Sequence, residues 1–241
     1  MIDSRIDARP EVLLGGIGQA LLARMHAAGE RLAALSANPD PGPLSWVPEA
    51  EGGFERWRHY PESDVFDPAT HAQYYFHVHG GAPEEYGHFH TFLRAPGMPS
   101  GMRPSHPVRG PLRARPRSAA AHLVAVSVDE RGRPGHLFTT NRWVTGESFF
   151  AAEDAVAMLD RFALSGGEGG PALDRWLEDV LLLFRPQIEM LLHRRDAVIR
   201  DRAARSGERD VLEDRSLEIA SITAVDMDRQ IAAVRAALDA A

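Results

Sequence analysis

The sequence predicts an α+β fold, with a mainly antiparallel sheet of about five strands, an N-terminal helix and a C-terminal helical hairpin. Apolar residues recur at helical spacing near the N-terminus and again beyond Glu153. Between these regions, short runs with an apolar face alternate with turns rich in Gly and Pro, which is typical of strands. We therefore expect an N-terminal helix and loop over residues 1–53, the sheet with a His-rich hairpin over 54–150, and a helical region over 151–241 that packs on the same domain.

The first elements follow from apolar periodicity and from turn residues. A helix is predicted over about residues 10–35, and we interpret its GGIG segment as helix packing or a frayed turn, because no strand precedes it as a dinucleotide-binding loop requires. The stretch 38–53, rich in Pro and Gly, predicts a loop, and the run FERWRHYP, residues 54–61, predicts the first strand. Asp67 followed by Pro68 predicts the N-cap of a short helical turn.

The next two strands carry two His-x-His pairs, His77 with His79 and His88 with His90, joined by a loop over residues 80–87. Alternate residues of a strand point to the same side, so each pair places two imidazoles on one face. The residues that alternate with the histidines are mostly apolar, and burying both apolar faces in one core brings all four histidines together. The implied register pairs His79 with His88 and His77 with His90. A slip of one residue would send the two pairs to opposite faces.

The second half of the chain supplies two more strands and three helices. The runs AHLVAVSVD and HLFTTNRWV, separated by the turn residues ERGRPG, predict a β-hairpin. Before them, the segment 94–117 contains six prolines and six arginines and is predicted to be a loop, because Pro breaks both helices and central strands. The predicted helices span residues 155–164, 173 to about 205 with a kink at Pro186, and 210–238, and the last two form the hairpin.

Composition excludes several classes of function. The chain has no Cys, which removes thiol nucleophiles, thiolate-bound iron–sulfur clusters and disulfides. All 27 basic residues are Arg, so no Lys can form a Schiff base with pyridoxal phosphate or complete a P-loop. The net charge of -7 predicts no binding to nucleic acid or to an anionic membrane. Because neither a signal peptide nor an apolar run long enough to span a bilayer is evident, we expect a cytoplasmic location.

Histidine and carboxylate are therefore the side chains available to bind a metal ion. We expect three or four histidines of the two His-x-His pairs to ligate a divalent ion, iron or zinc, with Glu84 or Glu85 as a further ligand or as the general base. The alternative is a polar strand face whose histidines are hydrogen-bonded to one another and to solvent. Further ligand candidates, at lower priority, are His59, His71 and His106, and Glu62 and Asp64 are candidates at the rim of the cluster.

Arginine and amide side chains are the candidates for binding a substrate. The candidates are Arg94, at the end of the second histidine strand, and Asn141 and Arg142, which would contact a substrate if their strand adjoins the histidine pair. The alternative for Asn141 and Arg142 is an exposed edge. The arginines of the 94–117 segment form either a lid that clamps a carboxylate or phosphate or a solvated connector. We expect a small-molecule substrate or ligand as the partner, and the C-terminal helices are the candidate surface for a homodimer.

Two resemblances to known families add to this interpretation. The order His77, one residue, His79, four residues and Glu84 resembles part of the first cupin motif, which implies metal binding inside an antiparallel barrel, in a family of dioxygenases, isomerases and non-catalytic binders. The chain departs from that motif at His71 and Thr91, where the family has glycine, and the second cupin motif is not recoverable. Taken whole, the runs HYPESDV, QYYFHVH, GHFHTFLR and LFTTNRWVTGE are similar to an uncharacterised bacterial domain family, a domain of unknown function, and this resemblance implies no activity.

The sequence thus indicates a His-rich mononuclear metal-binding protein. The enzyme hypothesis is the oxidation or hydrolysis of a small anionic substrate, with iron-based oxidation narrowly ahead of zinc-based hydrolysis. The competing hypothesis is a non-catalytic protein that binds a metal, a ligand or a partner and associates through its helical hairpin.

Overall fold

The computed structural model describes residues 2–37, 42–50, 52–79, 85–106, 120–165, 169–206 and 210–240. Within these residues, six strands form one antiparallel sheet in which each strand pairs with the next along the chain. This arrangement confirms the predicted α+β class. The sheet is open, with β1 and β6 at its edges, whereas the cupin resemblance implies a closed barrel. The strands are β1 (Tyr60–Phe66), β2 (Ala72–His77), β3 (Gly87–Arg94), β4 (Ala120–Val128), β5 (Pro134–Thr140) and β6 (Ile219–Ala224).

Seven α-helices accompany the sheet in the described residues. The predicted N-terminal helix is broken at its GGIG segment, where Leu14–Gly16 form a 3-10 turn, because Gly lowers the stability of a helix. None of the helices in the described ranges combines the length and the apolar character that a membrane crossing requires. The helices are α1 (Pro10–Leu13), α2 (Gln19–Ala37), α3 (Arg142–Thr145), α4 (Ala152–Leu159), α5 (Pro171–Leu183), α6 (Arg185–Ser206) and α7 (Met227–Asp239).

Pro186 begins a new helix and does not kink a single long one. The helix α5 ends at Leu183, and Phe184 leaves the helical conformation with φ -99° and ψ 17°. The helix α6 then starts at Arg185, so Pro186 lies in its first turn. A backbone N–H has no helical partner at that position, and its loss in Pro is tolerated there.

The region 210–238 was predicted to be a single helix, and this prediction is wrong. Val211–Glu213 form a 3-10 turn, and β6 follows and pairs with β5, with Phe138 opposite Ile222. Short apolar runs rich in β-branched residues suit either a helix or a strand, and pairing with β5 decides between them. The predicted hairpin is therefore replaced by two consecutive helices, α5 and α6, and by α7, which lies beyond the intervening strand.

The first strand begins at Tyr60, later than the predicted run 54–61. Trp57 has a φ of 68°, a left-handed backbone conformation that interrupts an extended run. The segment before β1 instead contacts the end of β2, because the Trp57 N–H donates a hydrogen bond to the Val78 carbonyl oxygen at 3.0 Å.

The helical turn predicted at Asp67 is present as a hydrogen-bonded turn. Its Oδ1 accepts hydrogen bonds from the backbone N–H groups of Ala69 at 2.7 Å and Thr70 at 3.0 Å, as a capping carboxylate does. Its other carboxylate oxygen accepts hydrogen bonds from Ser165, which fastens the turn to the segment after α4. Burial raises the pKa of Asp67, but these hydrogen bonds outweigh burial and hold the pKa below its usual value. Asp67 thus acts as a structural carboxylate.

The two faces of the sheet differ in chemistry. Tyr74, Phe76 and Phe89 point to the face that packs on the helices, where the rings of Phe89 and Trp176 of α5 lie 5.3 Å apart between centres. Each of these aromatic side chains is almost fully buried. Because side chains alternate along a strand, the histidines of β2 and β3 project from the opposite face, named here the His face.

The register of β2 and β3 differs from the predicted one by two residues. His77 lies opposite His88, and Tyr75 lies opposite His90, whereas His79 was predicted to face His88. The residue that follows His77 pairs with the segment before β1, so β2 ends at His77 and His79 lies beyond the paired strand. A slip of two residues keeps every side chain on its original face. The predicted register is wrong, but His77, His88 and His90 still lie on one face of the sheet, as predicted.

Gly87 tests this register, because at this position β3 packs closely against β2. A Cβ atom at Gly87 would lie 2.5 Å from Cζ of Phe76 and 2.7 Å from the His77 carbonyl oxygen. We expect Gly87→Ala to lower the free energy of unfolding by about 1–3 kcal/mol, measured by urea titration. Gly135→Ala in β5 is the matched control, because its Cβ would meet no atom within 4 Å. Equal stability of the two variants would contradict the close approach at Gly87.

Candidate metal centre

Three buried imidazoles converge on the His face. His77 of β2 and His88 and His90 of β3 are 7%, 4% and 1% exposed, respectively. Each offers one ring nitrogen, and these nitrogens all lie within 4.8 Å of one another. Among the described residues, this is the one group of three or more His, Cys, Asp or Glu side chains with the geometry to hold a metal ion. We name it the His triad.

Hydrogen bonds alone do not satisfy the nitrogens of this group. The Nδ1 atom of His88 lies 2.5 Å from a carboxylate oxygen of Glu85, so it carries the proton and leaves a lone pair on Nε2. The Nε2 atom of His77 is 2.6 Å from the Nε2 atom of His88 and 3.1 Å from that of His79. A single proton on His77 can serve only one of these neighbours. A cation placed between the nitrogens would bind all of the lone pairs at once.

The spacing of the nitrogens suits a small divalent ion. Zinc binds imidazole nitrogen at about 2.0–2.1 Å, which places two ligands of a tetrahedral site about 3.3 Å apart. The Nε2 atom of His77 lies 3.1 Å from that of His79 and 2.6 Å from that of His88. The first separation is close to this value, and the residues would hold such an ion once His77 and His88 moved apart by about 0.7 Å.

A fourth buried histidine, His122 of β4, holds His90 from behind. Its Nε2 atom lies 3.0 Å from the Nδ1 atom of His90, which leaves Nε2 of His90 available to a metal. The sequence did not reveal His122, because alternation places it on the same side as Val124, which is in the core. A bulge in the β3–β4 ladder changes that order: Thr91 pairs with Val124 but Phe92 pairs with His122. The bulge turns His122 to the His face.

Burial keeps His77, His90 and His122 in the neutral form, which is the form of histidine that binds metal ions. It lowers the pKa of His77 to about 2, with further lowering by the neighbouring histidines. Burial likewise lowers the pKa of His122 to about 3, helped by the charge of Arg195, and holds the pKa of His90 well below its ordinary value. The ring nitrogens thus carry lone pairs at neutral pH.

Glu85 supports the triad through His88. Burial raises the pKa of Glu85, but the hydrogen bond with His88 and contributions from Ser127 outweigh it and hold the pKa below its usual value. The carboxylate is therefore ionised and lies against Nδ1 of His88, on the side away from the nitrogen that faces His77. Glu84, the other predicted catalytic carboxylate, lies outside the described residues.

His79 lies at the rim of the triad. It follows the end of β2, is only partly buried, and lies with its ring centre 4.2 Å from that of Trp57. Trp57 is 69% exposed, so this pair borders the site on the solvent side. The structure thus brings together three of the four predicted ligands and leaves the fourth within reach of His77.

The residues predicted to bind a substrate are held by other protein groups. Asn141 caps α3 by accepting a hydrogen bond from the Arg142 backbone N–H, and its Nδ2 donates to the Val211 carbonyl oxygen at 2.9 Å. Arg142 is buried and forms ion pairs with Asp210 and Glu213 at 3.0 and 2.7 Å. These contacts fasten the end of β5 to the turn before β6, and the substrate role of both residues stays a prediction.

Arg94 and the other candidate residues occupy several separate places. Arg94 donates from Nε to the Gln73 side chain at 2.6 Å and covers the Phe66 ring, so it lies at the β1 side of the sheet. His71 lies beside Phe66, and His106 forms an isolated bridge with Phe149. The predicted lid arginines Arg109, Arg113, Arg115 and Arg117 lie outside the described residues.

A buried carboxyl that sequence reasoning missed lies between α3 and α4. Glu147 is 8% exposed, and burial raises its pKa to about 7, although the Thr145 hydroxyl and the charges of Arg195 and Arg142 act in the opposite direction. No local pattern distinguishes this residue from a surface glutamate, because the packing of the segment around it decides its burial.

The metal-free protein is expected to lose stability as the pH falls below about 6.5, where the histidines of the unfolded chain bind protons. His77, His90 and His122 stay neutral in the fold, so each adds up to about 1.4 kcal/mol per pH unit to this loss. Glu147 acts in the opposite sense between pH 4.5 and about 7, because folding raises its pKa. Urea unfolding of chelator-treated protein between about pH 7.5 and about pH 5 measures the net slope.

The variant His122→Leu isolates one of these contributions. It is expected to reduce the slope of unfolding free energy against pH by about one proton, because Leu binds none in either state. An unchanged slope would show that His122 is not held neutral in the folded protein.

Comparison with known proteins identifies a family and no closer relative. No curated protein and no solved structure matches the chain. Residues 26–225 match the family described as a domain of unknown function (DUF6969), and this span includes all six strands and the His triad. Because the match covers most of the sequence, the chain belongs to the family described as a domain of unknown function (DUF6969).

Proposed function

We propose that the protein is a metal-dependent enzyme in which the Nε2 atoms of His77, His88 and His90 hold one divalent ion. The observation that carries this proposal is the convergence of three buried imidazoles whose ligand atoms lie within 4.8 Å of one another. On a strand face stabilised by hydrogen bonds alone, we would not expect several ring nitrogens with lone pairs to lie close together with only one proton to share. The arrangement instead matches three-histidine sites that leave a coordination position open.

The supporting residues strengthen this assignment. Glu85 holds Nδ1 of His88, and His122 holds Nδ1 of His90, so two of the three ligands have their free nitrogen fixed from behind. Partners of this kind orient metal ligands and raise their basicity. Such partners are expected behind the ligands of a metal site, whereas the histidines of a solvated polar face do not need to be oriented.

The charge of the site favours an anionic substrate. Three neutral ligands leave the full charge of a divalent ion in a buried place, so a carboxylate, a phosphate or hydroxide is the favoured fourth ligand. A bound ion would supply a Lewis acid and lower the pKa of a coordinated water molecule. We therefore propose hydrolysis of a small anionic ester or related substrate.

The ligand set also bears on the choice of metal. Non-haem iron sites often combine two histidines with one carboxylate. Glu85 contacts the far side of His88, and no other carboxylate joins the triad within the described residues. We therefore favour zinc with three histidines, although iron was narrowly preferred from the sequence. The expected partner is a small molecule, not nucleic acid or a membrane.

A second candidate function rests on His79. Its Nε2 lies 3.1 Å from that of His77, so a small shift would make it a fourth ligand and close the coordination shell. A closed site of four histidines would be structural or would serve as a non-catalytic metal sensor. X-ray absorption of the zinc-loaded protein distinguishes the two functions by counting three or four coordinated imidazoles from the scattering of the outer ring atoms.

Alanine substitution of the ligands tests the metal site. We expect His77→Ala and His90→Ala to reduce metal from about one ion per chain to a small fraction, because two imidazoles bind far more weakly than three. Elemental analysis of protein purified without a His-tag gives the content. His193→Ala is the control, because this histidine is exposed on α6. Stoichiometric metal in both ligand variants would contradict the proposal, and loss of metal in His79→Ala would favour the closed site.

Removal of a supporting residue should weaken the site without abolishing it. We expect Glu85→Gln and His122→Gln each to lower zinc affinity by about 10–100-fold. The first change removes the partner that orients His88, and the second removes the partner that orients His90. Competition with a chromophoric chelator measures the affinity. Glu62→Gln, an exposed position in β1, should leave it unchanged. Wild-type affinity in both supporting variants would show that these contacts do not orient a metal ligand.

A further inference from the structure

A further histidine, His59, lies beside the His triad on the solvent side. Its ring stacks on Tyr75, with centres 3.8 Å apart and planes inclined by 9°, and its centre is 5.7 Å from that of His77. Its side chain is 41% exposed, whereas the residues of the triad are buried. His59 therefore lies between solvent and the proposed metal centre, and its ring makes an edge contact with that of His77.

A chain of hydrogen bonds fixes the orientation of His59. Arg94 Nε only donates, so it fixes the Gln73 amide with Oε1 toward itself at 2.6 Å. Gln73 Nε2 then donates to one carboxylate oxygen of Asp64 at 2.6 Å, and the other oxygen of Asp64 lies 3.1 Å from Nδ1 of His59. The carboxylate accepts the Nδ1 proton, which leaves Nε2 of His59 as an acceptor.

The backbone of β1 is distorted where it presents Asp64. Tyr60 pairs with Phe76 and Val65 pairs with Tyr74, so β1 has extra residues in a bulge that includes Asp64. Asp64 itself has a φ of 57°, a left-handed conformation that non-glycine residues rarely adopt. Bulges and strained residues of this kind are concentrated next to functional sites, where they re-aim a side chain. Here they aim the carboxylate at His59.

We propose that His59 is the catalytic base of the metal centre and that Asp64, Gln73 and Arg94 are positioning residues. The proposal rests on the hydrolytic function proposed above. In the reaction, the oxygen of a water molecule forms a bond to the substrate carbonyl or phosphoryl centre, and the proton of that water passes to Nε2 of His59. The leaving group departs with the electron pair of the broken bond. His59 then releases the proton to solvent, which its exposed ring allows.

The test uses the full chain loaded with zinc and the ester 4-nitrophenyl acetate as the probe. We expect His59→Ala to keep stoichiometric zinc and to lose at least about 100-fold in hydrolysis rate, the usual contribution of a general base. Added 2-methylimidazole should restore part of the rate, because its methyl group hinders binding to zinc but not proton transfer. His59→Gln, which can still donate to Asp64, guards against an effect of misfolding and should be equally slow.

The positioning role has a readout independent of activity. Nitrogen-15 NMR of the His59 ring should show the proton on Nδ1 in the wild type. In Asp64→Asn it should show a mixture of tautomers, because the Asn side chain can present either its oxygen or its NH2 group to the ring. Glu62→Gln, in the same bulge but exposed, should behave as the wild type. A wild-type ring protonated on Nε2 would overturn the positioning of His59.

The outcomes separate this proposal from the proposed function. A wild type that binds no zinc overturns the metal-dependent function and the base with it. Full zinc content with an unchanged rate in His59→Ala overturns only the base. A zinc-loaded wild type that does not cleave the ester contradicts the hydrolytic function, and the base with it, but leaves the metal site in place. Zinc retention, slow hydrolysis in both His59 variants and rescue by 2-methylimidazole together support His59 as the base.

Discussion

The antiparallel pairing of β2 and β3 is the constraint on which the rest of the structure depends. Burial of Tyr74, Phe76 and Phe89 against the helices fixes which face of these strands is apolar, and each fully buried ring contributes about 1.5–3 kcal/mol. Period-two alternation then places the histidines on the other face. A slip of one residue would move the aromatic rings to the His face and the imidazoles to the face that packs on the helices, so the site and the core are specified together.

Bulges add the residues that alternation cannot supply. The irregularity in the β3–β4 ladder turns His122 toward His90, and the bulge in β1 carries Asp64 to His59. Both place a polar partner behind an imidazole, one for a proposed metal ligand and one for the proposed base. The regular parts of the sheet therefore present the imidazoles of the triad, and the two bulges supply the partners that orient His90 and His59.

Charge and exposure differ between the two sides of the site. The triad is buried, Glu85 is ionised behind it, and His59 faces solvent in front of it. A cation is the partner that such an arrangement lacks, and an anion is the partner that the cation would then attract. The rings of Trp57 and His59, from the segment before β1, lie against His79 and Tyr75 at the border of the site.

The sequence by itself determined the α+β class, the two histidine strands and the face that their imidazoles share, because alternation and turn residues are local properties of the chain. Only the tertiary structure decided that residues 219–224 form a strand, that His77 faces His88, that His122 reaches His90, and that Glu85 lies behind a ligand. The strand at 219–224 and the contact of His122 with His90 depend on distant segments that meet only in the folded chain. The register of His77 against His88 and the place of Glu85 behind His88 depend on where β2 ends, and alternation along the sequence does not fix that point.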